Sequence, residues 1–323
     1  MRCPEPARLA RTCSGAWQGV LRQKSFYTIF ADTLMTPQSL PSPASGNAPA
    51  PLVARTTVID LVPFGSTGND ISFFALRLVP PPWKGWKPGQ FVMVRQPGGL
   101  PDALWGRPFS LCRVTPDNLV LFFQVVGRVT ASLATLKPGD PLDLWGPLGN
   151  SLAVAPEAPT LLLAGGIGIA PFVGYVESHP AAWNISMLFG HRMPLECYPV
   201  HSLNEKIMVD SFHEQSPEDL QRFLALMEDH VAQHAAGSAE SEKNGTGKGL
   251  VLACGPLPFL RTVQGLAEKY AIRAHLCMES KMACGIGACL GCVVKTRSSE
   301  QEEPRHVQTC SCGPNFWADR VVL

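Results

Sequence analysis

Near its C-terminal end the chain reads MACGIGACLGCVVKT, residues 282–296, and the spacing of the cysteines there constrains the fold more than any other feature. They fall as Cys284-x4-Cys289-x2-Cys292, and Cys310 follows after 17 further residues. Two irons bridged by two sulfides need four thiolates. One short loop can offer three, and the last must come from elsewhere in the fold, which is the plant-type pattern of a [2Fe–2S] cluster. The alternatives are a zinc site and buried structural cysteines. Structural zinc prefers cysteines in two short-spaced pairs, whereas here three sit together and one stands apart. The reading adopted is therefore iron–sulfur ligation by Cys284, Cys289, Cys292 and Cys310. Gly285, Gly287 and Gly291 are expected to let the loop curl tightly and aim amide N–H groups at the sulfurs.

The other cysteines do not suggest a disulfide framework. There are 11 in all, an odd number, and six lie from Cys277 onward. No secretory signal with a charged start and compact apolar core opens the chain. Cys3, Cys13, Cys112, Cys197, Cys254 and Cys277 lack ligand spacing and read mostly as small hydrophobes. A net charge of +1 implies neither nucleic acid nor an anionic membrane as partner. The uncharged run APTLLLAGGIGIAPFVGYV, residues 158–176, is broken by glycines and Pro171. It reads as a buried strand, a glycine turn and a helix start rather than a membrane span.

The fold class expected is a multidomain α+β chain. Residues 1–51 form an N-terminal extension and low-complexity linker. A start at Met35, an organelle transit peptide and an ordinary disordered tail all suit this stretch. Residues 52–153 carry short β-rich runs (TTVIDLVPFG, ISFFALRLV, QFVMVRQ, FSLCRV, NLVLFFQVV, PLDLWG) parted by turns such as STGND and KPGD, which predicts an antiparallel barrel. Residues 154–272 alternate short apolar strands (TLLLA, ISMLFG, VLAC) with a helical run at 220–235, an α/β pattern with a polar loop at 237–249. Residues 273–323 are too few for a sizeable core, and a metal centre would supply what the core lacks. His230 and His234 stand four apart on the predicted helix, but no glutamate lies between them as a zinc protease needs. They read as solvated helix residues.

GRPFSLC, residues 106–112, places an arginine and a serine on one barrel strand. The guanidinium can pair with a pyrophosphate and the hydroxyl can reach a flavin ring nitrogen. FFQVVGRVT, residues 122–130, ends a strand and opens a helix. LLLAGGIGIAP, residues 161–171, and VLACGPLPFL, residues 251–260, each run a strand into a glycine turn, which brings backbone close to a cofactor at a strand's carboxyl end.

This order of motifs resembles the ferredoxin–NADP reductase superfamily, and within it the electron-transfer subunits of bacterial dihydroorotate dehydrogenase B. KPGQFVMV, RPFS, GPLGN, AGGIGIAP, CGP and MACGIGACLGC carry the resemblance, with Glu279 preceding the last. It covers about residues 53–316. It implies FAD held by Arg107, Pro108, Phe109, Ser110, Phe122, Phe123, Gln124, Val129 and Thr130, and a [2Fe–2S] cluster on the four cysteines. It implies NAD as electron acceptor, a cytoplasmic setting, and an FMN-containing catalytic partner with two of each chain in a heterotetramer. It implies no catalytic acid or base in this chain. There are two departures. The family favours Gly-x-Gly-Thr where this chain has Gly127-Arg128-Val129-Thr130, which puts the backbone beside the pyrophosphate in question. An acidic-acidic-Gly-Ser stretch is not recognisable, and VDSFHEQ, residues 209–215, stands near its place. Two rivals stay open: a reductase component feeding an oxygenase or hydrogenase, and a non-enzymatic redox sensor.

Overall fold

A computed structural model describes residues 52–65, 72–98, 104–243, 249–297 and 303–323. The N-terminal extension with Cys3, Cys13 and Met35, and the turn STGND, lie outside the described residues.

The first seven strands are β1 (Leu52–Phe64), β2 (Phe73–Leu78), β3 (Phe91–Arg95), β4 (Arg107–Ser110), β5 (Arg113–Val114), β6 (Leu119–Gln124) and β7 (Pro141–Leu148). They pair antiparallel in the order β4-β3-β7-β1-β2-β6-β5. The sheet curls so that β4 comes round against β6, with the Phe109 ring edge-on to Phe123 at 5.9 Å. The run FSLCRV, expected as one strand, is two. Leu111 and Cys112 are both buried, and consecutive buried residues cannot share one face of a strand. The chain changes partners there: Leu111 N–H donates to Gln90 O, and Cys112 N–H to Val120 O. Helix α1 (Arg128–Leu133) follows β6.

A six-stranded sheet comes next. It contains β8 (Thr160–Gly165), β9 (Ile185–His191), β10 (Met208–His213), β11 (Leu250–Cys254) and β12 (Arg273–Cys277), all parallel. The order is β10-β9-β8-β11-β12, closed by an antiparallel strand, β15 (Asn315–Trp317). β8 and β11 are buried along their whole length, as strands covered on both faces must be. On one face Leu162 and Leu252 meet α2 (Ala170–Ser178) and α3 (Val200–Asn204). On the other, Leu161, Leu163 and Val251 meet α4 (Pro217–Lys243) and α5 (Leu257–Lys269). The run at 158–176 is thus β8, a glycine turn and α2, and no helix of the described residues is long and apolar enough to cross a membrane. The expected boundary at 272/273 falls between a helix and a strand of this one sheet.

Two expectations about α4 are corrected. The polar stretch from Gly237 continues the helix to Lys243 instead of leaving it. Its Ala, Glu and Lys are good helix formers, and Ser238 Oγ donates back to His234 O at 2.6 Å. Nor are His230 and His234 solvated. His234 Nε2 lies 3.2 Å from Leu250 O and burial pushes its pKa down. His230 is half-buried, 3.6 Å from Asp210.

The C-terminal segment adds a small sheet, β14 (Arg305–Gln308), β13 (Val293–Thr296) and β16 (Val321–Val322), with a one-turn helix α6 (Thr309–Cys312) between β14 and β15.

Candidate cofactor cavity and cysteine site

A cavity of about 590 Å³ opens where the barrel, the parallel sheet and the cysteine segment converge. Arg107, Pro108, Phe109 and Ser110 line it from β4, Phe122, Phe123 and Gln124 from β6, and Val129 and Thr130 from α1, so all nine residues of the expected flavin set share one space. Arg107 is half-buried, and one of its terminal nitrogens donates to the carbonyls of Trp105 and Gly106 at 3.0 and 3.2 Å. Thr130 Oγ1 accepts from the Val126 and Gly127 amides at 2.9 and 3.1 Å and donates to Gly127 O. That knot fixes the entry to α1. Val129 lies inside the helix, and Gly127 is extended with φ −176°. Neither position needs glycine, so the departure from Gly-x-Gly-Thr costs the backbone nothing here.

The second wall is the carboxyl end of the parallel sheet: Ile167, Gly168 and Ala170 after β8, Cys254 closing β11 and Cys277 closing β12. Residues at this edge line the crevice in which open α/β sheets bind ligands. Cys254 and Cys277 are buried, as expected of small hydrophobes, yet they also line the cavity. Their place at strand ends is the signal that residue type alone did not give. Contact with Cys277, then burial, pushes the Cys254 thiol up. The third wall is Met278, Glu279, Ser280, Met282 and Pro314, the approach to the cysteine loop. Glu279 is exposed on the cavity wall, and the protein on its other side costs it some hydration and pushes its carboxyl up.

The stretch VDSFHEQ forms β10 and its exit. Arg192, at the end of β9, pairs with Glu214 at 2.7 Å, and the rings of His191 and His213 stack at 4.9 Å.

The four expected ligand cysteines come together beside this cavity. Cys284, Cys292 and Cys310 are buried and Cys289 is exposed. Cys284 Sγ lies 3.4 Å from Cys289 Sγ. Backbone amides point at the sulfurs: Gly287 N–H at Cys310 Sγ, 3.1 Å, and Ile286 and Cys289 N–H at Cys284 Sγ, 3.5 and 3.4 Å. Contact with Cys310, reinforced by those amides, holds the Cys284 thiol well below its ordinary range, while Cys310 is raised by the same contact. Gly285 and Gly287 take φ of +72° and +84°, where side chains are strained. Gly291 does not, and the left-handed residue beside it is Leu290 at +54°. Among the described residues no group of three or more His, Cys, Asp or Glu is arranged to hold a single metal ion.

Cys310 does not extend β14 but sits in α6. Thr309 N–H bonds to Cys292 O and Gly313 N–H returns to Thr309 O, closing the turn. Cys310 faces inward and is buried, whereas Cys312, two residues on and so turned by about 200°, is only partly buried.

Two anchors tie this segment to the barrel, and sequence reading missed their role. Trp145 on β7 donates its indole N–H to Cys284 O at 2.8 Å. Asn150 donates to the carbonyls of Cys312 and Asn315, and Asn315 Nδ2 donates to Gly89 O and Asn150 O. Both are long-range pairings that no local spacing encodes.

Residues 279–322 match the family described as the iron–sulfur cluster binding domain of dihydroorotate dehydrogenase B. The chain is 31% identical over 244 residues to the electron transfer subunit of dihydroorotate dehydrogenase B (NAD(+)) from Caldanaerobacter subterraneus subsp. tengcongensis, covering 75% of this chain and 90% of the relative. It is 34% identical over 250 residues to the subunit of the same name from Geobacillus kaustophilus, covering 73% and 87%. Among solved structures it is similar to an NADH-dependent reduced ferredoxin-NADP oxidoreductase, with a TM-score of 0.63 at 22% identity over 83% of this chain and 90% of that one. The ferredoxin-NADP+ reductase of Plasmodium falciparum gives a TM-score of 0.52 at 12% identity, over 67% and 90%. At such identities these two likenesses speak for the fold alone.

Proposed function

The chain belongs to the family of dihydroorotate dehydrogenase B electron transfer subunits, and from that membership we propose that it links the FMN of a dihydroorotate dehydrogenase B catalytic subunit to NAD+ in pyrimidine (UMP) biosynthesis. Residues 52–153 would hold FAD, residues 154–272 would receive the nicotinamide nucleotide, and residues 273–323 would carry a [2Fe–2S] cluster. The cytoplasmic complex would contain two of each chain. When bound, the flavin supplies the conversion between single electrons carried by the cluster and the two-electron hydride that NAD+ accepts.

The residues suit these groups. Arg107 would meet the pyrophosphate with the guanidinium nitrogens that its own strand does not engage. The Phe109, Phe122 and Phe123 side chains give an apolar bed, and Ser110 and Gln124 supply polar contacts to orient a ring. At the cysteine loop, three amides aimed at sulfur stabilise thiolate charge. Oxidation of dihydroorotate would belong to the partner, so this chain's side chains bind, orient and exclude water.

The observation that carries the reading is the shared cavity: the strand with Arg-Pro-Phe-Ser and the segment leading into the cysteine loop form walls of one space. The test is co-expression with a dihydroorotate dehydrogenase B catalytic subunit. Co-purification, with orotate formation driven by NAD+ only when both chains are present, is expected. A catalytic subunit that reduces NAD+ equally well alone would refute it.

A further inference from the structure

Trp145 touches both halves of the proposed electron path. Its indole N–H holds the Cys284 carbonyl. Its ring packs against Gly106, where an added Cβ would stand 2.5 Å from the ring's Cη2. Gly106 directly precedes Arg107, the first residue of β4. One rigid side chain therefore spans from the strand that walls the cavity to the loop that bears three of the four cysteines.

The loop is also seated on the barrel floor. A Cβ on Gly285 would strike Met93 Cγ at 2.5 Å, and Phe91, Met93 and Leu148 share a small core with Cys292 and Cys310. That apolar floor fixes depth but has no directional preference. The Trp145 hydrogen bond is directional, and it sets the angle of the Cys284 peptide.

We propose that Trp145 is a positioning residue for electron transfer: it registers the cysteine loop against the flavin strand, and Gly106 is small because the ring occupies its side-chain space. This rests on the reading that the four cysteines hold a [2Fe–2S] cluster. The bond polarises the carbonyl of Cys284, the same residue that offers an expected ligand sulfur, so its loss alters the electronic surroundings of the cluster as well as its placement.

The experiment compares the holo chain with Trp145→Phe, Gly106→Ala and the double variant. FAD and iron per chain, thermal unfolding, and the circular dichroism and EPR spectra of the cluster are measured. Trp145→Phe keeps most of the ring and loses the N–H. It should retain FAD and iron while shifting the EPR g-values. Gly106→Ala touches no cysteine, yet by displacing the ring it should shift the same signature in the same sense. The double variant should shift no further than Trp145→Phe alone. Unchanged cluster spectra in both single variants would overturn it. Joint loss of FAD, iron and cooperative unfolding would also overturn it, because the ring would then be holding the whole fold. A wild-type chain without iron would instead sink the cluster reading and this inference with it.

Discussion

His275 should make the stability of this protein depend on pH through one identifiable hydrogen bond. The residue is buried in β12. Its Nδ1 accepts from the Ala153 amide at 3.1 Å, in the link between barrel and parallel sheet. The other ring nitrogen must then carry the proton, and the ring also contacts the Asn315 backbone. The ring stacks on Trp317 at 4.6 Å. Burial, and the nearby Arg273 charge, lower the pKa to about 4 against the partial opposition of the Asn315 contact. An unfolded histidine titrates near 6.5, so between roughly pH 6.5 and 4 the unfolded chain binds more protons, and stability rises with pH across that window. The contribution is complete above about pH 7 and is lost as pH falls, by at most about 3 kcal/mol at ~1.4 kcal/mol per unit. His179, His191 and His234 are also lowered by burial and act in the same direction. The wild type must therefore be compared with His275→Leu. At pH 7.5 the variant should be less stable by about 1–3 kcal/mol, because the Ala153 amide is orphaned. In urea melts of the holo chain from pH 7.5 to 5.0, that difference should shrink by about 2 kcal/mol. A difference that stays constant over the range would refute the reasoning.

Arg107→Ala should lower the flavin content of purified protein, read from the absorbance ratio, and full retention at wild-type affinity would remove Arg107 from the site. Cys310→Ser should strip or destabilise the cluster while Cys312→Ser leaves iron content and visible spectrum largely intact, since the single turn of α6 sends the two side chains in different directions. The reverse pattern, by iron assay, would reassign the ligand. Asn150→Ala removes several partly buried hydrogen bonds at once. It should cost about 2–3 kcal/mol and speed iron loss on mild heating, and unchanged iron retention would show that the barrel does not clamp the cysteine segment.

What the sequence made legible was local. The short β-rich runs of the barrel and the apolar strands of the α/β part each lie within a few residues of chain, and most appear where the pattern put them; the cysteine spacing is equally local, and the four sulfurs do come together. The failures were of two physical kinds. Some were competitions between neighbouring elements. Leu111 and Cys112 are consecutive apolar residues that a strand cannot place on one face, so FSLCRV divides, and helix formers carry α4 through a stretch that polarity alone marked as loop. Others were long-range. Trp145 reaches Cys284 across 139 residues and Asn315 reaches Gly89 across 226, and neither pairing leaves a periodic trace. Val129 is a local mismatch to the family's Gly-x-Gly-Thr that the fold absorbs, because an ordinary helical backbone serves there.

If one chain holds a flavin and an iron–sulfur cluster close enough to exchange electrons through its own fold, NADH should reduce both with no partner present. Anaerobic titration of the purified holo chain with NADH tests it most directly, with flavin absorbance and the EPR signal of the cluster followed in the same sample. The flavin should bleach, and a reduced [2Fe–2S] signal should grow with it. A chain that carries zinc in place of iron, or a flavin that bleaches fully while the cluster stays oxidised at every NADH concentration, would contradict it.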